Sequence, residues 1–137
     1  MEKIKVIFLD IDGTIYCNGS PVYCLTELIK MTNAKIVITS SWRIGKTLDQ
    51  LISDINRLEN FPVQSVIGMT EVIYHKEEEI PRGAEIEIYL REHPEIEEYV
   101  IIDDEPVPLL TQADHFVQVG KGGFQGEEFR EALRILG

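Results

Sequence analysis

The run Lys3-Ile4-Lys5-Val6-Ile7-Phe8-Leu9 limits the architectures open to this chain more than any other stretch. Its apolar residues are branched or aromatic and do not alternate with polar ones. A strand of that kind needs cover on both faces, which a parallel sheet provides. The run ends in Asp10-Ile11-Asp12-Gly13-Thr14. In open α/β sheets, ligands meet the carboxyl ends of the strands. Two carboxylates one residue apart at such an end can hold a hard cation, and one of them can attack an electrophile. Asp-Gly is equally a common turn signal, and Asp-x-Asp a common solvated loop. The other strand ends must decide between these readings.

Four more segments read as strands: Lys35 to Thr39, Val63 to Ile67, Tyr99 to Ile102 and His115 to Val119. Helical spacing runs from Cys24 to Met31, with Asn33 as the stop. Gly19, Ser20 and Pro21 read as turn residues before it, and Tyr16, Cys17 and Val22 as a small hairpin over the acidic loop. Thr47 to Asn60 is the clearest helix: Thr47 caps it, Asp49 and Gln50 suit the first turn, and Leu48, Leu51, Ile52, Ile55 and Leu58 share a face. Pro62 ends it. From Pro81 to His93, Ile80, Ala84 and Ile88 have helical spacing and Pro81 suits a helix start, although Glu85-Ile86-Glu87-Ile88 alternates as a strand does. Glu127 to Leu136 reads as a terminal amphipathic helix with Phe129, Leu133 and Ile135 or Leu136 inward. Residues 71–80 fit a short strand or an irregular loop, His75 reads as a surface residue, and Glu77-Glu78-Glu79 as a solvated run. Gly120 to Gly123 lacks the full phosphate-loop pattern and reads as a turn. Strands alternating with helices predict an α/β fold with a parallel sheet flanked by helices.

The ends of the later strands carry chemistry too. Lys35 to Thr39 leads into Ser40-Ser41-Trp42-Arg43. A small hydroxyl there can donate to a phosphate oxygen, or simply cap a turn. Arg43 fits a bidentate phosphate clamp or a structural ion pair equally well. Trp42 reads as a packing residue. The strand at Tyr99 ends in Asp103-Asp104, adjacent acids whose charge needs a cation or water; the plain alternative is a helix cap before Pro106-Val107-Pro108. Arg82 stands at the start of the predicted third helix.

Taken in order, these features resemble the four motifs of the haloacid dehalogenase-like (HAD) phosphohydrolase superfamily. The first is the strand with Asp10-Ile11-Asp12-Gly13-Thr14. The second is the strand ending at Ser40, with Thr39 as the one-residue alternative. The third is a cation, Arg82 or else Lys76, and the fourth is Asp103-Asp104. Ser41-Trp42-Arg43 resembles a small capless subgroup that includes domains associated with nucleic-acid repair. The resemblance spans nearly the whole chain. It implies a Rossmann-like three-layer sandwich with a mainly parallel five-stranded sheet, in one domain over residues 1–137, with no large cap. It also implies Mg²⁺, held by Asp10, the Asp12 backbone carbonyl and Asp103, with Asp104 orienting water or assisting metal binding. Asp10 is the implied nucleophile, forming an aspartyl-phosphate, and Asp12 the general acid and base. Ser40, Ser41, Arg43 and Arg82 are the implied substrate contacts. Dehalogenase members lack the second acid, because a halide needs no proton; Asp12 therefore favours phosphoryl transfer.

The short spacing between motifs implies an open site. Such sites in the superfamily accept macromolecular phosphoesters, whereas the formal net charge of −11 favours small ones. That charge disfavours a broad nucleic-acid-binding face, because phosphate contacts need Lys and Arg. The substrate is thus expected to be a small metabolite, nucleic-acid or protein phosphate, and the assembly a monomer or small homo-oligomer. The two cysteines, Cys17 and Cys24, have no His cluster beside them and are expected to be reduced thiols. No stretch approaches the ~20 apolar residues of a membrane helix, and Met1-Glu2-Lys3 does not open a signal peptide. Cytoplasmic localisation and no membrane partner follow as expectations. The competing reading is a non-catalytic metal-binding or phosphoaccepting signalling module. A phosphoaccepting receiver would need an Asp at the end of its middle strand, where this chain has Gly68-Met69-Thr70.

Overall fold

The computed structural model describes residues 2–15 and 21–137. The chain runs β1 (Ile4–Leu9), α1 (Pro21–Thr32), β2 (Lys35–Ile38), α2 (Leu48–Ile55), β3 (Val66–Met69), β4 (Tyr74–His75), β5 (Glu78–Glu79), α3 (Arg82–Glu92), β6 (Ile96–Asp103), β7 (Phe116–Gln118) and α4 (Glu127–Leu136). Short 3-10 turns occupy Ser41–Arg43, Val63–Ser65 and Leu110–His115. Five strands form one sheet in the order β3-β2-β1-β6-β7, and every pairing in it is parallel.

The unalternating apolar runs are buried as their composition demands. Ile7 and Leu9 face one side with Ile36, Ile38, Val100 and Ile102, where Leu25, Leu28, Leu51, Ile55, Ala132 and Leu136 cover them. Val6 and Phe8 face the other side with Val37 and Ile101, under Ile86, Tyr89 and Leu90. The result is three layers: α1, α2 and α4, then the sheet, then α3. Right-handed crossovers explain the assignment of faces. The chain steps outward from β1 through β2 to β3, then reverses across β1 to reach β6, so α3 lies opposite α1 and α2. The reversal places a topological switch point between the carboxyl ends of β1 and β6, where doubly wound sheets bind ligands.

Several boundaries differ from expectation. Helix α1 starts at Pro21, not Cys24, because proline is well tolerated at a first helical position. Asn33 stops it in the left-handed region, at φ 58°. Helix α2 keeps its Thr47–Gln50 capping box but ends at Ile55. Asn60, at φ 61°, then redirects the chain so that Leu58 and Phe61 reach the core from a turn. The third strand begins at Val66, since Val63–Ser65 forms a 3-10 turn. Helix α3 forms, but its inward stripe is Ile86, Tyr89 and Leu90 rather than Ile80, Ala84 and Ile88. Residues 71–80 contain a hairpin of β4 and β5, turned by Lys76 and Glu77 with φ of 52° and 69°. Positive φ at both central residues is the two-residue hairpin geometry that Asn and Gly favour, so Lys-Glu gave no signal of it. The hairpin expected around Tyr16 and Cys17, with the turn at Gly19 and Ser20, lies outside the described residues.

Candidate active site

The sheet's hydrogen bonding continues one residue past the strand tips. The Asp10 N–H donates to the Ile102 carbonyl (3.1 Å), the Thr39 N–H to Leu9 (3.0 Å) and the Thr70 N–H to Ile38 (3.0 Å). Asp10, Thr39, Thr70 and Asp103 therefore line one edge of the sheet, with Asp10 between Thr39 and Asp103. Carboxylate oxygens of Asp10, Asp103 and Asp104 lie within 4.8 Å of one another. Asp10 and Asp103 are buried.

Three acids this close repel, and the surroundings only partly offset that. Arg82, at the start of α3, donates from Nη1 to Asp103 Oδ2 at 2.7 Å and to Asp10 Oδ1 at 3.4 Å. The Glu105 N–H donates to Asp103 Oδ1 (3.0 Å), and Thr14 Oγ1 donates to Asp10 Oδ2 (3.2 Å). One guanidinium against three carboxylates leaves excess negative charge. Burial, and then Asp103, push the Asp10 carboxyl up to about 7, with Arg82 opposing. Burial raises Asp103 too, against the Glu105 N–H and Arg82. A hard cation among these oxygens would relieve the repulsion, and an all-oxygen donor set suits Mg²⁺.

Gly13 makes the cluster sterically possible. Its φ is 76°, and a Cβ there would collide with Asp104 Oδ2. Gly13→Ala is expected to cost about 1–3 kcal/mol through strain and to displace Asp104. Thermal unfolding with and without Mg²⁺ checks this, with both the Tm and the Mg²⁺-induced increase in Tm reduced. Unaltered values in both conditions would mean that Asp104 swings clear at no cost.

Asp12 stands apart from the three acids. It is exposed, and its Oδ2 accepts the Trp42 Nε1–H at 2.9 Å. Trp42 packs partly against the core, as expected, but the bond to Asp12 had no sequence signal. Ser40 is buried and caps the 3-10 turn, its Oγ accepting the Trp42 N–H at 3.3 Å. Among the described residues, the buried Thr39 and Thr70 hydroxyls have no hydrogen-bond partner. Ser41 is exposed. Lys76 sits at the exposed hairpin turn, so of the two candidate cations only Arg82 bonds to the acids.

Arg43, read as a phosphate clamp or a structural ion pair, makes the ion pair. Its Nε donates to Thr70 O (2.8 Å), Nη1 to Thr39 O (2.8 Å) and Ser40 O (3.1 Å), and Nη2 to Glu85 Oε1 (2.6 Å) and Glu79 Oε2 (3.3 Å). A guanidinium has five N–H donors, and these bonds use them all. Arg43 thus ties the ends of β2 and β3 to β5 and α3. Glu79, expected in a solvated run, is one of its partners.

A family model for the HAD domain in Swiss Army Knife RNA repair proteins matches residues 6–129. The chain belongs to this family. No curated protein and no solved structure matched it. The HAD domain's parallel sheet and the absence of a large cap among the described residues agree with the expected architecture. HAD membership indicates a phosphohydrolase-type function. No helix among the described residues of this HAD domain is long and apolar enough to cross a membrane.

Proposed function

We propose that this HAD domain is a Mg²⁺-dependent phosphate monoester hydrolase working through an aspartyl-phosphate on Asp10. The observation that carries the reading is the convergence of Asp10, Asp103 and Asp104 at the switch point, with Arg82 bridging two of them. Asp10, Asp103 and the Asp12 backbone carbonyl would hold Mg²⁺, with Asp104 assisting. When bound, the ion offsets carboxylate charge and polarises phosphoryl oxygens.

The chain's own residues account for the rest. Asp10 attacks phosphorus, the bond to the leaving oxygen breaks, and Asp12 delivers a proton to that oxygen. In the second half, Asp12 takes a proton from water as its oxygen attacks the same phosphorus. The Asp10–phosphorus bond then breaks, releasing phosphate and the free carboxylate. Thr14 and Arg82 orient Asp10 for attack. Arg82 also offsets repulsion between the carboxylate and an anionic substrate. Ser40, one residue past Thr39 at the end of β2, would hold a phosphoryl oxygen once its hydroxyl turns from its capping role to donate. Arg43 acts on Ser40 only through the backbone it clamps.

Hydrolysis of an aryl phosphate in Mg²⁺, in EDTA and with Asp10→Asn tests the proposal. Turnover lost in both controls supports it. No turnover, with Mg²⁺ still bound, would favour a silent metal-binding module. The acid role has its own check. Asp12→Asn is expected to slow alkyl phosphates, whose leaving oxygen needs a proton, at least tenfold more than activated aryl phosphates. Equal losses on both would remove Asp12 from that role.

A further inference from the structure

A groove of about 490 Å³ opens beside the acidic site, walled by Ser41, Trp42, Ile44, Lys46, Asp54 and Arg57. Its volume lies in the range of small-molecule sites, roughly 300–1,000 Å³. Trp42 belongs to both places: it lines the groove, and its Nε1–H bonds Asp12 at 2.9 Å. The groove therefore begins on the side of the site occupied by Asp12. If Asp12 protonates the departing oxygen, the rest of the leaving group extends into this space.

The groove's chemistry differs from the rest of the surface. The chain has 24 acidic and 13 basic residues, yet here two cations face one acid. Lys46 pairs with Asp54, and that contact, with a smaller contribution from the Arg57 charge, lowers the Asp54 carboxyl's pKa. Arg57 is exposed and makes no ion pair among the described residues. Ile44 is 43% exposed beside the half-buried Trp42. An aromatic ring and an aliphatic side chain give a base a face to lie on. An exposed guanidinium nearby suits a phosphate, which it can hold bidentately. A sugar phosphate would leave the apolar wall unused, and an uncharged leaving group would leave Arg57 unused.

We infer that this groove is a leaving-group subsite for a nucleotide carrying a second phosphate, with the base against Trp42 and Ile44 and that phosphate on Arg57. The inference rests on the phosphomonoesterase reading for the orientation of the ester, but the binding it describes is measurable without turnover. The ligand chemistry has two sources, a free nucleoside bisphosphate or the phosphorylated end of an oligonucleotide.

Trp42 is the chain's sole tryptophan, so its fluorescence reports on the groove directly. Titrations use Asp10→Asn protein in Mg²⁺, so that ligands persist. Adenosine 3′,5′-bisphosphate is expected to quench Trp42 and to bind about tenfold more tightly than adenosine 3′-phosphate. Adding Arg57→Gln should abolish most of that ratio, and adding Asp54→Asn, which frees Lys46, should raise it. Arg134→Gln, an equal charge change on α4, serves as the control for net charge and should leave it intact. The preference should shrink in high salt, since both cations are solvent-accessible. An oligonucleotide 3′-phosphate binding more tightly still would identify a chain end as the source, and equal affinity would identify the free nucleotide; either supports the subsite. Equal affinity for the two adenosine phosphates, an Arg57→Gln ratio matching that of the parent, or equally tight binding of ribose 5-phosphate or a phosphoserine peptide would overturn it. Failure of the enzyme reading shows up separately, as absent aryl-phosphate turnover by the wild-type protein while the bisphosphate still binds.

Discussion

Asp10→Asn is expected to lower kcat for phosphate monoesters by about 10⁴-fold or more, because an amide cannot form the aspartyl-phosphate. The same substitution should stabilise the metal-free protein at neutral pH. Asp10 titrates near its ordinary value in the unfolded chain but is pushed up to about 7 in the folded one, first by burial and then by Asp103. Between those values the native state binds more protons than the unfolded state, so its stability falls as pH rises and stays low above about 7. Asn removes that penalty. A gain of about 1–2 kcal/mol at pH 8 is expected, allowing for partial solvent screening and the loss of one acceptor for Arg82. The gain should fade toward pH 4. Urea unfolding in EDTA at several pH values measures it. A variant less stable than wild type at pH 8 would show that Arg82 outweighs the carboxylate repulsion. In wild type, Mg²⁺ should bind more tightly as pH rises through 7, since its ligands must be deprotonated.

Arg43→Ala is expected to destabilise the fold by about 3–5 kcal/mol, the largest stability loss at any position near the site. Arg43 is 2% exposed, and Glu85, its partner at 2.6 Å, is 1% exposed. Removing the cation leaves the buried Glu85 carboxylate with the Ile73 N–H but no charge partner, and takes the side-chain donor from the Thr39 and Thr70 carbonyls, while Ser40 O keeps the backbone N–H of residue 43. For a chain of this length such a loss should lower the Tm by about 10 °C or more. Glu85→Ala should behave similarly, because the guanidinium then keeps only Glu79 as an ionic partner. The double variant Arg43→Met with Glu85→Leu should recover much of the loss, as apolar replacements of buried pairs often do. A double-mutant cycle on thermal unfolding decides the matter. Additive losses would show that the two side chains do not stabilise one another.

The two predictions concern charges of opposite meaning. Arg43 and Glu85 satisfy one another and hold β2, β3, β5 and α3 together around Ser40. Asp10, Asp103 and Asp104 do not satisfy one another, and Arg82 neutralises only part of their charge. That excess is a cost to the fold, carried at the point where the proposed chemistry needs anionic oxygens.

The amino-acid sequence by itself determined the layered α/β architecture. Its strands are apolar on both faces, so Val6 to Leu9, Ile36 to Ile38 and Val100 to Ile102 could only be satisfied inside a covered parallel sheet. The acids at the ends of β1 and β6 were legible for the same reason: carboxylates directly after buried strands stand out against the apolar run. Tertiary structure decided what sequence spacing cannot express. Arg43 and Arg82 are both arginines beside strand or helix ends, and only the packing of α3 gives Glu85 to one and Asp103 to the other. The β4–β5 hairpin carried no turn signature because Lys76 and Glu77 adopt a backbone that other residues favour. The inward face of α3 was not legible, although its helix was, because Glu85 is buried by its ion pair, which periodicity of apolar residues does not register. The bond from Trp42 to Asp12 joins residues 30 positions apart, and the groove beyond it exists only because a 3-10 turn and helix α2 meet there. Periodicity reads one element at a time; a site assembled from several elements depends on distances that only the folded chain supplies.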